Sequence, residues 1–146
     1  IVRMKVREFK TLGVVLGSRY ETSPVIVPDG SAPPEEDFMA YQPSAHPGCL
    51  APHGWLPDGS SLYDHLGPGF TLVATKGEGG PNGSAALAGA ARARGVPFSL
   101  FEHDDPAIAD LYDARYALVR TDHFVAWRGD EVPDDPGALI DHVRGA

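Results

Sequence analysis

Four kinds of chemistry come within reach of this sequence: a thiolate pair, a phosphate cradle, a nucleophile with its base, and a histidine metal cage. Cys49 is the single cysteine of 146 residues, so no CxxC redox pair, cysteine-rich zinc site or intrachain disulfide can form. It lies in a proline-rich stretch and reads as a small apolar side chain rather than a catalytic thiol. The glycine-rich run from Gly77 to Gly83 offers backbone amides to a phosphate, as a strand-to-helix loop can. It lacks the Lys-Ser/Thr ending of a P-loop, does not fit GxGxxG, and carries Glu78, which would repel a phosphate; it reads as a connector. Six histidines stand at 46, 53, 65, 103, 123 and 142, and no HxxxH or HxH spacing puts two on one face. Ser60, Ser61, Asp64 and His65 hold the residue types of a nucleophile and base, as does the group His103, Asp104 and Asp105. The first group fits better as a turn and helix start, the second as a strand end leading into a helix cap. Trp55 and Trp127 are expected in the core or at a domain contact.

The elements that carry these residues fall into two textures. From Ile1 to about Trp55, seven prolines between Pro24 and Pro52 limit regular helix and central strand, so this half reads as an extended arm. Its one expected helix is the opening stretch through Leu12, ended by Gly13, and the run from Pro24 to Pro28 predicts a short edge strand. The segment from Asp29 to Asp37 has linker composition and is expected to be mobile or surface-bound. From Leu56 onward the pattern regularises. Pro57, Asp58, Gly59 and Ser60 predict a hairpin turn, and Ser61 caps a short helix that stops at Gly67.

Strands follow at Phe70–Thr75 and Pro97–Phe101, with an alanine-rich helix between them that Ser84 caps and Gly95 stops. Asp105 with Pro106 starts a helix through about Tyr112. Tyr116–Arg120 and Phe124–Arg128 are joined by three residues and must pair antiparallel. Asp135 with Pro136 starts a closing helix whose apolar face is Leu139, Ile140 and Val143. The fold class is therefore α/β, in the thioredoxin-like order β-α-β-α-β-β-α without a CxxC pair, preceded by the proline-rich arm. The expected division is an arm over residues 1–50, ending a preceding domain and linking it onward, and a C-terminal domain over residues 51–146.

Composition sets the outer limits. Hydrophobic residues make up 42% and charged residues 22%, the balance of a folding domain rather than a disordered chain. A net charge of −8 argues against nucleic acid and anionic membranes as partners. No signal-peptide pattern and no run of 18 apolar residues is present, so neither secretion nor membrane spanning is indicated and a cytoplasmic location is expected. The chain opens Ile-Val-Arg-Met-Lys-Val-Arg, already in patterned sequence and without an initiator Met, and reads as a piece of a longer protein.

Three blocks of residues carry a resemblance. Leu12 through Val25 looks like the LGxxLGxRYxxSPI stretch that follows the substrate domain in aromatic-ring hydroxylases of the phenol hydroxylase type. Pro47 through His53, Leu56 to Gly59, Leu62 to Asp64, and Gly67 to Phe70 resemble the PGxRxPHxWLxDGxSLYDxxGxxF block that opens their C-terminal domain. Leu118 through Arg128 is similar to their LVRPDxxVAWR hairpin. Leu50 stands where that family has Arg and Thr121 where it has Pro, so the usual docking contacts are not assumed.

The resemblance implies a parent monooxygenase that binds FAD, draws electrons from NADPH or NADH, and hydroxylates a phenolic or polyketide ring. The family's GxGxxG, DG and GDAAH motifs have no counterpart here, so no catalytic, cofactor-binding or metal residue is carried over. As such a tail, the chain would contact the FAD and substrate domains of its parent, or a second copy in a homodimer, through Arg19, Tyr20, Trp55 and Phe70, and would expose apolar surface on its own. The competing expectation is a stand-alone, redox-inactive thioredoxin-like binding module with little such surface.

Overall fold

The structure is a computed structural model, and it describes residues 11–75 and 82–146. Residues 1–10 of the helix expected through Leu12, and the glycine-rich loop up to Pro81, lie outside the described residues.

Four strands form one mixed sheet in the order β2-β1-β3-β4. β1 (Phe70–Ala74) and β2 (Phe98–Glu102) run parallel, with Phe70 opposite Phe98 and Ala74 opposite Glu102. β3 (Tyr116–Val119) lies antiparallel to β1 and to β4 (Val125–Gly129), with an irregular register between Leu118 and Val119. All four residues of β3 are buried, so its apolar run has no alternation: both faces of the sheet are covered. Period-two geometry then sorts neighbours to opposite sides. On one side Leu72, Leu118 and Ala126 pack with Leu87 and Ala91 of α2 (Asn82–Ala93) and with Leu139, Ile140 and Val143 of α4 (Pro136–Arg144). On the other, Val73, Ala117, Val119 and Val125 pack with Ile108 and Tyr112 of α3 (Pro106–Tyr112) and with Ala45, Ala51, Leu56 and Leu62. Each fully buried Leu, Ile or Val contributes roughly 1.5–3 kcal/mol of transfer free energy.

Caps fix where the helices begin. Asp105 Oδ1 accepts from Ala107 N at 2.8 Å and Asp135 Oδ1 from Ala138 N at 2.9 Å, with Pro106 and Pro136 at the first helical position. Trp55 and Ser61 form the bridge that closes the Pro57–Ser60 turn.

Several expectations need correction. Gly13 does not end a helix. It sits inside α1 (Leu12–Leu16), which stops at Gly17, and a Cβ at residue 13 would collide with the Asp37 carbonyl oxygen. The Pro24–Pro28 run forms no strand: both prolines lack an N–H, Ile26 N bonds back to Ser23 O, and only Val27 N reaches Ala126 O of β4. The short helix expected after Ser61 is present, as a 3-10 turn over Leu62–His65 that Ser61 caps with a reciprocal box to Asp64. Ser84 is no cap. α2 starts at Asn82, and the buried Ser84 hydroxyl donates to Glu102 Oε1 at 3.1 Å.

The outer edge of β4 is occupied. Gly48 N donates to Val125 O, Val125 N to Cys49 O, and Ala51 N to His123 O, at 2.8 to 2.9 Å. An edge strand is thereby shielded from pairing with another chain.

Candidate docking surface

The groups singled out for chemistry are occupied by structure. Ser60 Oγ donates to Asp58 Oδ1 at 2.6 Å and lies 3.0 Å from His65 Nε2, so its one proton goes to the carboxylate and the imidazole must donate to it. A serine nucleophile needs the reverse polarity. Ser61 Oγ accepts from Tyr63 N at 3.1 Å as a cap, with His53 Nε2 at 2.9 Å. Cys49 is buried, and burial pushes its thiol above the ordinary range, away from thiolate character. No three His, Cys, Asp or Glu side chains converge as a metal site among the described residues.

Two ionic clips order the arm, one within it and one to the sheet. Arg19, whose backbone bridges to Cys49, gives one guanidinium nitrogen to Pro34 O at 2.6 Å and another to Glu36 Oε1 at 2.6 Å; its side chain is 14% exposed. Asp29 Oδ2 accepts from Arg128 Nε at 2.6 Å, and Asp29 Oδ1 accepts from Ser31 N and Oγ. Burial opposes ionisation of Asp29, but hydrogen bonds from Ser31 and Arg128 outweigh it and hold the carboxyl at about 2. Gly48 has φ 91°, a left-handed conformation that L side chains avoid, and its carbonyl accepts from Tyr20 N at 2.8 Å.

These clips shape a cleft of about 270 Å³ between α1 and the segment 34–42, with Val14, Leu16, Phe38 and Tyr41 among its apolar walls. Burial pushes the Tyr41 phenol up to about 12. Glu21, Glu35, Glu36 and Asp37 line the same cleft against one guanidinium, that of Arg19. α1 buries none of its residues, although Leu12, Gly13, Val14, Val15 and Leu16 include no polar side chain. Leu12, Val15 and Phe38 are 60%, 67% and 67% exposed, and Met39, next to Phe38, is exposed too.

The four contact residues expected from sequence lie on three parts of the chain. Arg19 and Tyr20 sit together on the arm, where the exposed Tyr20 ring meets the edge of Phe124 at 4.6 Å. Trp55 is 71% exposed on its own turn, beside His53 at 5.0 Å. Phe70 is half-buried and packs against the core at the start of β1. Sequence reasoning missed α1 itself, Phe38 and Met39; the available signal was an apolar five-residue run with no polar face to turn outward.

The family described as "Aromatic-ring hydroxylase, C-terminal" matches residues 44–145. The chain is 37% identical over 129 residues to the "FAD-dependent monooxygenase apdD" of Emericella nidulans, covering 84% of this chain and 20% of that protein. It is 35% identical over 154 residues to the "2,4-dichlorophenol 6-monooxygenase" of Cupriavidus pinatubonensis, covering 90% of this chain and 25% of that one. Among solved structures, the rebeccamycin biosynthetic enzyme RebC with reduced flavin superposes with a TM-score of 0.82 at 37% identity, over 96% of this chain and 25% of RebC. The chain thus spans between a fifth and a quarter of the length of these proteins.

Proposed function

The chain belongs to the family of aromatic-ring hydroxylase C-terminal domains, and from that premise we propose that it is the non-catalytic C-terminal part of an FAD-dependent monooxygenase. The parent would hydroxylate a phenolic or polyketide ring with NAD(P)H and O2, in the cytoplasm. One observation carries the reading: similarity runs along 84 to 96% of this chain yet covers only its relatives' minor share. FAD, when bound by the parent, supplies the redox chemistry.

The described residues do not fit the flavin nucleotide themselves. The cleft beside α1 presents four carboxylates, and Arg19 already gives its donors to Pro34 and Glu36, so a pyrophosphate would meet repulsion without a free cation. We therefore assign this chain a structural role: it contacts the FAD and substrate domains of its parent. Arg19 fixes the arm that presents Tyr20, Trp55 offers a second contact, and Phe70 anchors the sheet behind them. The sheet order and strand directions support a thioredoxin-like arrangement without a thiol pair, with residues 1–50 as arm and 51–146 as domain. The exposed apolar side chains of α1, Phe38 and Trp55 favour this role over a stand-alone module.

The test is turnover by the full-length gene product. NAD(P)H oxidation that rises on adding a phenolic or polyketide substrate, with one oxygen atom found in the product, supports the reading. Absence of any flavin-linked oxidation across a panel of such substrates would sink it.

A further inference from the structure

The two edges of the sheet differ. Backbone from Gly48, Cys49 and Ala51 covers β4, whereas none of the described residues covers β2. The parallel ladder with β1 uses the backbone of alternate residues: Pro97 O accepts from Phe70 N and His103 N donates to Ala74 O, so Ser99 and Phe101 between them point inward too. Phe98, Leu100 and Glu102 therefore turn their N–H and C=O groups outward, and among the described residues these groups meet no hydrogen-bond partner. Leu100 is 43% exposed although Leu72, opposite it on β1 and on the same face, is fully buried. Bare backbone groups beside an exposed leucine are a template for another strand.

Geometry, packing and charge make that strand a second β2. An odd number of outward residues centred on Leu100 closes on itself about a twofold axis. Leu100 meets Leu100 of the second copy, while Phe98 and Glu102 meet Glu102 and Phe98, so every outward N–H and C=O is bonded. On one face of the joined sheet the two Leu100 side chains meet. On the other, the half-buried Phe101 rings, each stacked on His65 at 4.7 Å and on His103 at 5.7 Å, become diagonal neighbours. The chain enters β2 from the exposed Arg92 in the last turn of α2 and leaves it through the exposed Glu102 and Asp104; antiparallel pairing sets each basic start against an acidic end. We propose that β2 pairs antiparallel with β2 of a second copy of this chain across a twofold axis at Leu100, joining two four-stranded sheets into one.

The test uses the full-length gene product. In this register the two Leu100 Cα atoms stand about 5.5 Å apart, within disulfide reach. Ser99 and its twofold mate are diagonal neighbours at roughly 7–8 Å, out of that reach. Under mild oxidation Leu100→Cys should give a disulfide-linked dimer, mapped by mass spectrometry to residue 100 of both copies, in about tenfold higher yield than Ser99→Cys. Leu100→Pro supplies a second reading, because it removes an outward N–H and none of the ladder to β1. The wild type should scatter light as twice its chain mass, and Leu100→Pro as a single chain with an unchanged circular dichroism spectrum. If Leu100→Pro does not fold, the disulfide decides alone. The proposal is overturned by a monomeric wild type, by a dimer that a folded Leu100→Pro leaves intact, by no disulfide at residue 100, or by equal yields at 99 and 100. Neither readout involves flavin, so these outcomes are separate from those that test the hydroxylase reading.

Discussion

Asp29 ties a segment of the arm to β4 through Arg128, and its carboxyl falls from the ordinary 3.8 to about 2 in the folded chain. A depressed carboxylate pKa adds stability that is fully present above the unfolded value and lost as pH falls through the folded one. The wild type should therefore exceed Asp29→Asn in urea midpoint at about pH 6, and the gap should close on approaching about pH 2. A gap that persists unchanged at low pH would mean the clip is not electrostatic. Gly48 works by conformation: φ 91° and the close Glu21 backbone leave no place for a side chain. Gly48→Ala should cost about 1–3 kcal/mol in urea unfolding, more than an exposed Gly89→Ala. Cys49, its thiol pushed up by burial, should react with a disulfide reagent far more slowly in the native protein than in urea.

Elements whose signals are local were legible in the sequence. Asp105 with Pro106 and Asp135 with Pro136 each pair a capping carboxylate with a residue that needs no N–H donor, and both helices start there. Asp135→Ala should lower stability by about 1 kcal/mol, measurable by chemical denaturation, whereas the exposed Asp134→Ala should be near neutral. The β1 to β4 strands were found because three-residue separation forces a hairpin and apolar runs mark a covered sheet. What the sequence did not show is non-local. The stop assigned to Gly13 was wrong because its glycine answers the approach of Asp37, 24 positions away. The Pro24–Pro28 strand failed because two of its residues cannot donate, a rule the sequence does contain. The clip from Arg19 to Glu36, which shapes the candidate surface, joins residues whose proximity no periodicity reveals.

At the scale of the whole molecule, the chain has a covered sheet with a core on each face and yet leaves an apolar helix and Trp55 bare. A stand-alone module has no reason to hold such surface, whereas a piece shaped by contact with neighbouring domains does. The 146 residues alone should accordingly enhance the fluorescence of an apolar dye more, mole for mole, than the full-length protein in which that surface is covered. No helix among the described residues is long and apolar enough to cross a membrane. The most direct measurement is flavin retention by the full-length gene product and by these 146 residues, each purified in the presence of FAD and read by absorbance. The full-length protein should stay yellow and bleach with NADPH or NADH, while the 146-residue piece should lose all flavin on desalting. A colourless full-length protein, or stoichiometric FAD on the piece itself, would contradict the assignment of this chain as the non-catalytic tail of an FAD-dependent hydroxylase.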